Sequence, residues 1–179
     1  LKDNGLYENT IIIFAGDNGL AVGQHGLMGK QNVYEHSVGV PLMIKAAAQH
    51  TGKKTADLCY LIDVFPTLCD MLQLPVPQSV DGISLLSSLD GKEPVRDYLY
   101  YSYMDNQRGI SDGTWKLIEY HVNGKRTTQL FNLKNDPWER NDLSGQKKYE
   151  KTIQRLREKM AEEQKRTNDT SVFWNNFSY

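Results

Sequence analysis

The run Ile11-Ile12-Ile13-Phe14-Ala15-Gly16-Asp17-Asn18-Gly19 decides how this chain is read. An apolar, β-branched stretch without polar alternation suits a central strand covered on both faces. Gly and Asn behind it free the backbone to turn at the strand's carboxyl end, which in open parallel sheets is where ligands bind. Asp17 and Asn18 stand there as neighbouring carboxylate and amide oxygens, hard donors suited to Ca²⁺ or Mg²⁺ rather than to zinc. The chain continues Leu20-Ala21-Val22-Gly23-Gln24-His25-Gly26-Leu27-Met28-Gly29-Lys30. Its closely spaced glycines let the backbone loop back and bring His25 and Lys30 near the same point. An ammonium and an imidazole beside a divalent ion would make a pocket for an oxyanion. The same residues also read as a plain Asx turn followed by a flexible loop.

Downstream, Val40-Pro41-Leu42-Met43-Ile44 reads as a second strand, with Pro41 tolerated near its beginning. Leu58 to Ile62 leads to Asp63, placed to cap a helix whose first turn accommodates Pro66. Leu68, Met71 and Leu72 share a face of that helix, which should end before Pro75. From about residue 95 the texture changes. Leu99–Tyr103, Trp115–Tyr120 and Gln129–Asn132 are short aromatic and β-branched segments, with Asp112-Gly113 and Asn123-Gly124 between them as hairpin signals. A last helix over roughly Lys147–Arg166 carries Tyr149, Ile153, Leu156 and Met160 on one apolar stripe, to be packed on the small sheet. The fold class is therefore α/β: residues 1–94 hold part of an α/β sheet, and 95–179 hold a small antiparallel sheet with a packed C-terminal helix. The aromatic run Phe173, Trp174, Phe177 and Tyr179 is expected to dock on the body of the protein.

The chain has 179 residues, with 21 Lys+Arg against 22 Asp+Glu and a formal net charge of −1. That balance argues against a nucleic-acid partner, which favours a basic stripe. No apolar run approaches the roughly 18 to 20 residues of a membrane span. No basic segment followed by an apolar stretch opens the chain, so no targeting signal is visible, and the start at Leu1 reads as a piece of something longer. Cys59 and Cys69, ten positions apart in an apolar context, fit small buried residues rather than a zinc cluster or a disulfide framework.

The order strand, Asp17-Asn18-Gly19, Gly23-Gln24-His25-Gly26, Gly29-Lys30, then Tyr34-Glu35-His36-Ser37 and Val40-Pro41-Leu42-Met43-Ile44, resembles the carboxyl part of the type I sulfatases, in the alkaline phosphatase-like superfamily. Asp63-Val64-Phe65-Pro66-Thr67 is similar to the family's D-x-x-P-T segment, and Asp81-Gly82-Ile83-Ser84-Leu85-Leu86 to its D-G-x-S-L-L turn. Trp115-Lys116-Leu117-Ile118 and Leu130-Phe131-Asn132-Leu133-Lys134-Asn135-Asp136-Pro137-Trp138-Glu139 resemble its closing hairpin. The likeness is collinear from about Asn9 to Leu143.

That resemblance implies an alkaline phosphatase-like α/β sheet and a sulfuric ester hydrolase acting on sulfated carbohydrate. Asp17 and Asn18 match half of the family's calcium site, with Mg²⁺ as the alternative ion. Lys30 matches the lysine that contacts the sulfate ester oxygens, and His25 a histidine assigned to substrate or leaving-group contact. The family nucleophile is a formylglycine made from Cys or Ser within C/S-x-P/A-x-R. No such element occurs here, nor do the paired amino-terminal aspartates, so the chain reads as a carboxyl-terminal fragment, inert alone, of an enzyme. Its sheet edges would then favour self-association, and the parent would be periplasmic or extracellular. Gly39 stands where many relatives have Arg, which leaves Glu35 without that partner or with His36 in its place. Two other functions fit the same motifs: a phosphonate monoester or phosphodiester hydrolase of the superfamily, and a non-catalytic carboxyl domain. His36, His50 and His121 read as structural or solvated, and Arg108 as a residue that reaches substrate by fold analogy alone. Asn168-Asp169-Thr170 and Asn176-Phe177-Ser178 match the glycosylation pattern, which arises often by chance.

Overall fold

A computed structural model describes residues 1–46 and 52–171. The aromatic run from Phe173, His50 and the Asn176 tripeptide lie outside them. In chain order the elements are β1 (Ile12–Ala15), β2 (Ala21–Val22), β3 (Met28–Gly29), α1 (Glu35–Val38), β4 (Leu42–Lys45), α2 (Val64–Met71), α3 (Leu86–Leu89), β5 (Leu99–Tyr103), β6 (Gln107–Ser111), β7 (Trp115–Val122), β8 (Lys125–Asn132) and α4 (Glu150–Arg166). They form a mixed α/β structure in two compact units. One comprises Leu1–Asp17 with Val40–Asp97, and the other Asn18–Gly39 with the chain from Tyr98 onward. Residues 18–39 thus group with the later half of the chain.

In the first unit β1 pairs antiparallel with β4, with Phe14 opposite Met43. The sequence suggested a central strand covered on both faces. Among the described residues β1 has this one partner, and Phe14 and Met43 are 57% and 59% exposed. A continuous apolar run signals a surface meant for covering, but it names neither the cover nor the direction of the neighbouring strand.

Helix α2 forms where Pro66 and the end before Pro75 place it; Asp63 gives α2 itself no side-chain cap bond but closes a capping box with Tyr60 on the 3-10 turn Leu61–Asp63 that leads into it. The buried Asp63 carboxylate accepts from the Tyr60 N–H at 2.7 Å, the Ile83 N–H at 2.8 Å and the Arg96 guanidinium at 2.6 Å. Thr67 Oγ1 donates to the Asp63 carbonyl and accepts from the Leu85 N–H. The D-x-x-P-T segment and the D-G-x-S-L-L turn are thereby tied together. Gly82 makes that approach feasible, since a Cβ there would lie 2.2 Å from the Ile62 carbonyl oxygen. Cys69 is buried and Cys59 half-buried, both as free thiols; burial, followed by the Asp63 charge, pushes the Cys59 thiol up.

The second unit is built on a four-stranded antiparallel sheet in the order β5-β6-β7-β8. The expected segments are three of these strands. The fourth, β6, was hidden because Gln107-Arg108-Gly109 carries little β-propensity. Pairing of Tyr100 with Ile110, and of Leu117 with Ile110 and Leu130, aligns one apolar row across the sheet. The stripe of α4, with Ile153, Leu156 and Met160 buried, packs on that row. The opposite face carries Ile118 and Phe131 and is covered by Val33 and Tyr34. This second layer is why the segment between β2 and α1 belongs with the later half of the chain. Arg108 does not serve as a free cation. It is 2% exposed, its Nε donates to Asp169 Oδ2 at 2.7 Å, and its Nη1 donates to the Met104 and Gln107 carbonyls. No helix among the described residues is long and apolar enough to cross a membrane.

Candidate functional site

Strands β2 and β3 make a small hairpin, Ala21 opposite Gly29 and Val22 opposite Met28, closed by the Gly23 N–H donating to the Leu27 carbonyl at 2.9 Å. His25 sits at its tip with φ at 54°, a left-handed conformation rare outside glycine. The hairpin is turned toward α1 by Gly19, whose N–H donates to the Ser37 carbonyl at 2.9 Å. A Cβ at Gly19 would fall 2.0 Å from the His36 carbonyl oxygen, so only glycine permits this contact.

The fold brings His25 onto Tyr34. Their rings stack with centroids 3.9 Å apart and planes 4° from parallel, and the His36 ring follows at 5.5 Å from His25 and 5.7 Å from Tyr34. Tyr34 anchors the stack: it is 6% exposed, its edge meets Phe131, and its hydroxyl donates to Gln129 Oε1 at 2.6 Å. Burial raises its pKa above the usual tyrosine range. His36 is pushed the other way, toward neutral imidazole, by burial first and then by the nearby His25 and Lys116 charges. Among the described residues its buried Nε2 has no hydrogen-bond partner.

Below the rings lies an ion cluster. The fully buried Lys116 ammonium is 2.7 Å from Glu35 Oε1 and 3.1 Å from Glu139 Oε1, the second an ion contact without hydrogen-bond alignment. Glu139 Oε2 accepts from the Glu35 N–H at 2.6 Å, which holds the first turn of α1. Burial raises the Glu139 pKa even against the Lys116 charge. Glu35 therefore keeps a cationic partner despite Gly39, and the partner is Lys116 from β7, not His36. Gln24, His25, His36, Trp138, Glu139 and Arg140 line a cleft of about 500 Å³ above this cluster.

The other expected residues are less gathered. Lys30 is exposed just after β3, and its backbone N–H donates to Gln31 Oε1. Asp17 closes the first unit's opening segment and Asn18 begins the second unit; both are exposed, and Asn18 Nδ2 donates to the Gly19 carbonyl. As hard oxygen donors the pair suits calcium in kind. Among the described residues, no group of three or more His, Cys, Asp or Glu side chains is placed to hold a metal. Two oxygens fall well short of the roughly six to eight that Ca²⁺ takes. Sequence reasoning missed His36, Trp138 and Arg140, because each gains a meaning only from the side chains that folding places around the cleft.

Residues 23–166 match the family described as N-sulphoglucosamine sulphohydrolase, C-terminal. The chain is 30% identical over 182 residues to an N-acetylglucosamine-6-O-sulfatase of Bacteroides thetaiotaomicron, covering 94% of this chain and 32% of that protein. A structure described as being in complex with its substrate D-glucosamine-2-N,6-O-disulfate superposes with a TM-score of 0.77 at 28% identity, covering 97% of this chain and 38% of that one. The phosphonate monoester hydrolase of Agrobacterium radiobacter superposes with a TM-score of 0.75 at 26% identity, covering 90% and 36%. The chain thus spans about a third of the length of the curated relatives it matches. It belongs to the N-sulphoglucosamine sulphohydrolase C-terminal family, among the type I sulfatases of the alkaline phosphatase-like superfamily.

Proposed function

We propose that this chain is the carboxyl-terminal part of a sulfuric ester hydrolase acting on sulfated carbohydrate. One observation carries the reading: the sulfatase-family match over residues 23–166 includes both His25 and Lys30. Lys30 offers an ammonium to the sulfate ester oxygens, where charge builds as the ester bond breaks. His25, held by the Tyr34 ring, contacts the substrate or the departing alcohol. Asp17 and Asn18 supply two oxygens toward a Ca²⁺ ion, with Mg²⁺ as the alternative. The ion, when bound, polarises the ester oxygens. The remaining ligands and the formylglycine nucleophile belong to a preceding part of the parent, so the 179-residue chain alone binds calcium weakly and turns over no ester. A periplasmic or extracellular parent accords with carbohydrate substrates.

A second reading, phosphonate monoester or phosphodiester hydrolase, is favoured by the fold shared with the Agrobacterium radiobacter enzyme. The full-length protein, assayed with 4-nitrocatechol sulfate, glucosamine 6-sulfate and a phenyl phosphonate ester, separates the two. Preferential hydrolysis of the sulfates is expected, preference for the phosphonate would install the second reading, and no turnover of either would leave a non-catalytic domain. Hydrolysis that follows the isolated chain through purification would overturn its fragment status.

A further inference from the structure

Trp138 and Arg140 are placed in a way the proposed chemistry does not use. Between them Glu139 takes a left-handed backbone, φ 54°, and turns inward to 1% exposure, where it meets Lys116 and the Glu35 N–H. Such a conformation in a residue other than glycine costs energy and persists only where surrounding contacts enforce it. Its neighbours are consequently thrown outward. Trp138 is 64% exposed, unusual for so large an apolar surface, and Arg140 is exposed beside it. The loop is fixed rather than loose, because the Asn141 N–H donates to Asp136 Oδ2 at 2.7 Å and the Glu139 N–H to the Asp136 carbonyl. Both side chains line the cleft of about 500 Å³, together with Gln24, His25 and His36.

The lining has a recognisable chemistry. An exposed indole offers a flat apolar face to the C–H face of a sugar ring. Gln24 and the two imidazoles bring hydrogen-bonding groups of the kind that meet sugar hydroxyls. Arg140 adds one planar cation suited to a sulfate or carboxylate group. The volume lies within the roughly 300–1,000 Å³ of small-molecule clefts. We propose that this cleft is a subsite for a second, anionic sugar unit next to the one that loses sulfate, with Trp138 as the platform and Arg140 reading the charge. The assignment rests on the sulfatase reading for what the neighbouring site does, but its own binding can be measured apart from turnover.

The test uses the full-length protein, a sulfated glycosaminoglycan disaccharide and its unsulfated counterpart, with binding read by calorimetry and hydrolysis by KM and kcat. Trp138→Ala should weaken binding of both disaccharides by about tenfold, the equivalent of roughly 1.4 kcal/mol, and raise KM rather than lower kcat. Trp138→Tyr keeps a stacking ring and should restore most of the affinity. Arg140→Ala should weaken the sulfated disaccharide alone. Because Trp138 is exposed, its truncation should not unfold the protein, and an unchanged melting temperature verifies this. Affinity indifferent to both substitutions would overturn the subsite even if sulfate esters are hydrolysed. Binding that responds as expected without any hydrolysis would keep the subsite and remove the sulfatase reading.

Discussion

Lys116 Nζ lies 2.7 Å from Glu35 Oε1, and the lysine side chain that makes this contact has no solvent exposure. The pair joins β7 to the start of α1, and Glu139 completes it at 3.1 Å while receiving the Glu35 N–H. Removing the lysine would leave the buried Glu139 carboxylate without a counter-charge. Lys116→Met is therefore expected to destabilise the fold by about 3–5 kcal/mol, the usual cost of breaking a buried pair from one side. The double variant Lys116→Met/Glu139→Gln should recover part of that loss. Urea unfolding of the two variants beside the wild type measures both values; equal midpoints for all three would show that the cluster contributes nothing.

The approach of Gly19 to the His36 carbonyl makes a steric prediction. A methyl group there would sit 2.0 Å from that oxygen, against backbone that cannot swing away. Gly19→Ala should cost about 1–3 kcal/mol or more, as overpacking does, and should displace the His25 hairpin. At Gly145 a Cβ would meet nothing within 4 Å. Gly145→Ala should stay within about 0.5 kcal/mol of wild type. Thermal unfolding of the two variants makes the comparison.

Asp169 supplies a pH dependence. Burial pushes its carboxyl up, but hydrogen bonds from Arg108, Tyr100 and the Ser171 N–H outweigh this and hold it below the usual carboxylate range. A depressed folded-state pKa means that the unfolded chain takes up the proton first. The contribution is then fully present above the unfolded value of about 4 and is lost as pH falls below it through the folded value. Unfolding midpoints followed from pH 6 to 2 should decline on that acid limb. Asp169→Asn should be less stable at pH 6 and show a shallower decline, and parallel curves would contradict the assignment.

Lys30 is exposed, and among the described residues only its backbone is hydrogen-bonded, so removal of its side chain should act on chemistry. In the full-length protein Lys30→Met is expected to lower kcat for a sulfate ester by about 100- to 1,000-fold, the scale of losing one charge-stabilising group. Its melting temperature should stay within a degree or two of wild type. A loss confined to KM would place Lys30 in ground-state binding instead.

Much of the second unit was legible from spacing. Ile153, Leu156 and Met160 recur with the helical period, and they are buried on the sheet as that period requires. Asp112-Gly113 and Asn123-Gly124 mark turns between strands because their residues tolerate the backbone that tight hairpins need. Strand β6 escaped notice because Arg108 and Gly109 are not strand formers. Gly109 is suited to its place only through the neighbouring Tyr101 ring and the Val33 side chain, which a Cβ would meet at 3.3 and 3.5 Å. Asp63 was legible only in part. A carboxylate before a helix reads as a cap, and its Oδ2 does hold the local Tyr60 N–H, whereas tertiary partners at Ile83 and Arg96 share its Oδ1.

The sequence by itself determined the types of element, the acid–amide pair Asp17-Asn18, the loop that carries His25 and Lys30, and the family to which these motifs belong. Each of these is written in local order, as a periodicity or as a short run of chemically matched residues. Only the tertiary structure decided that Tyr34 holds the His25 ring, that Lys116 rather than His36 answers Glu35, and that Trp138 and Arg140 face a common cleft. Those relationships join residues as many as about a hundred positions apart. Their strength comes from burial and from distances of a few ångströms, quantities that exist only after the sheet, α1 and the 136–141 loop have closed on one another.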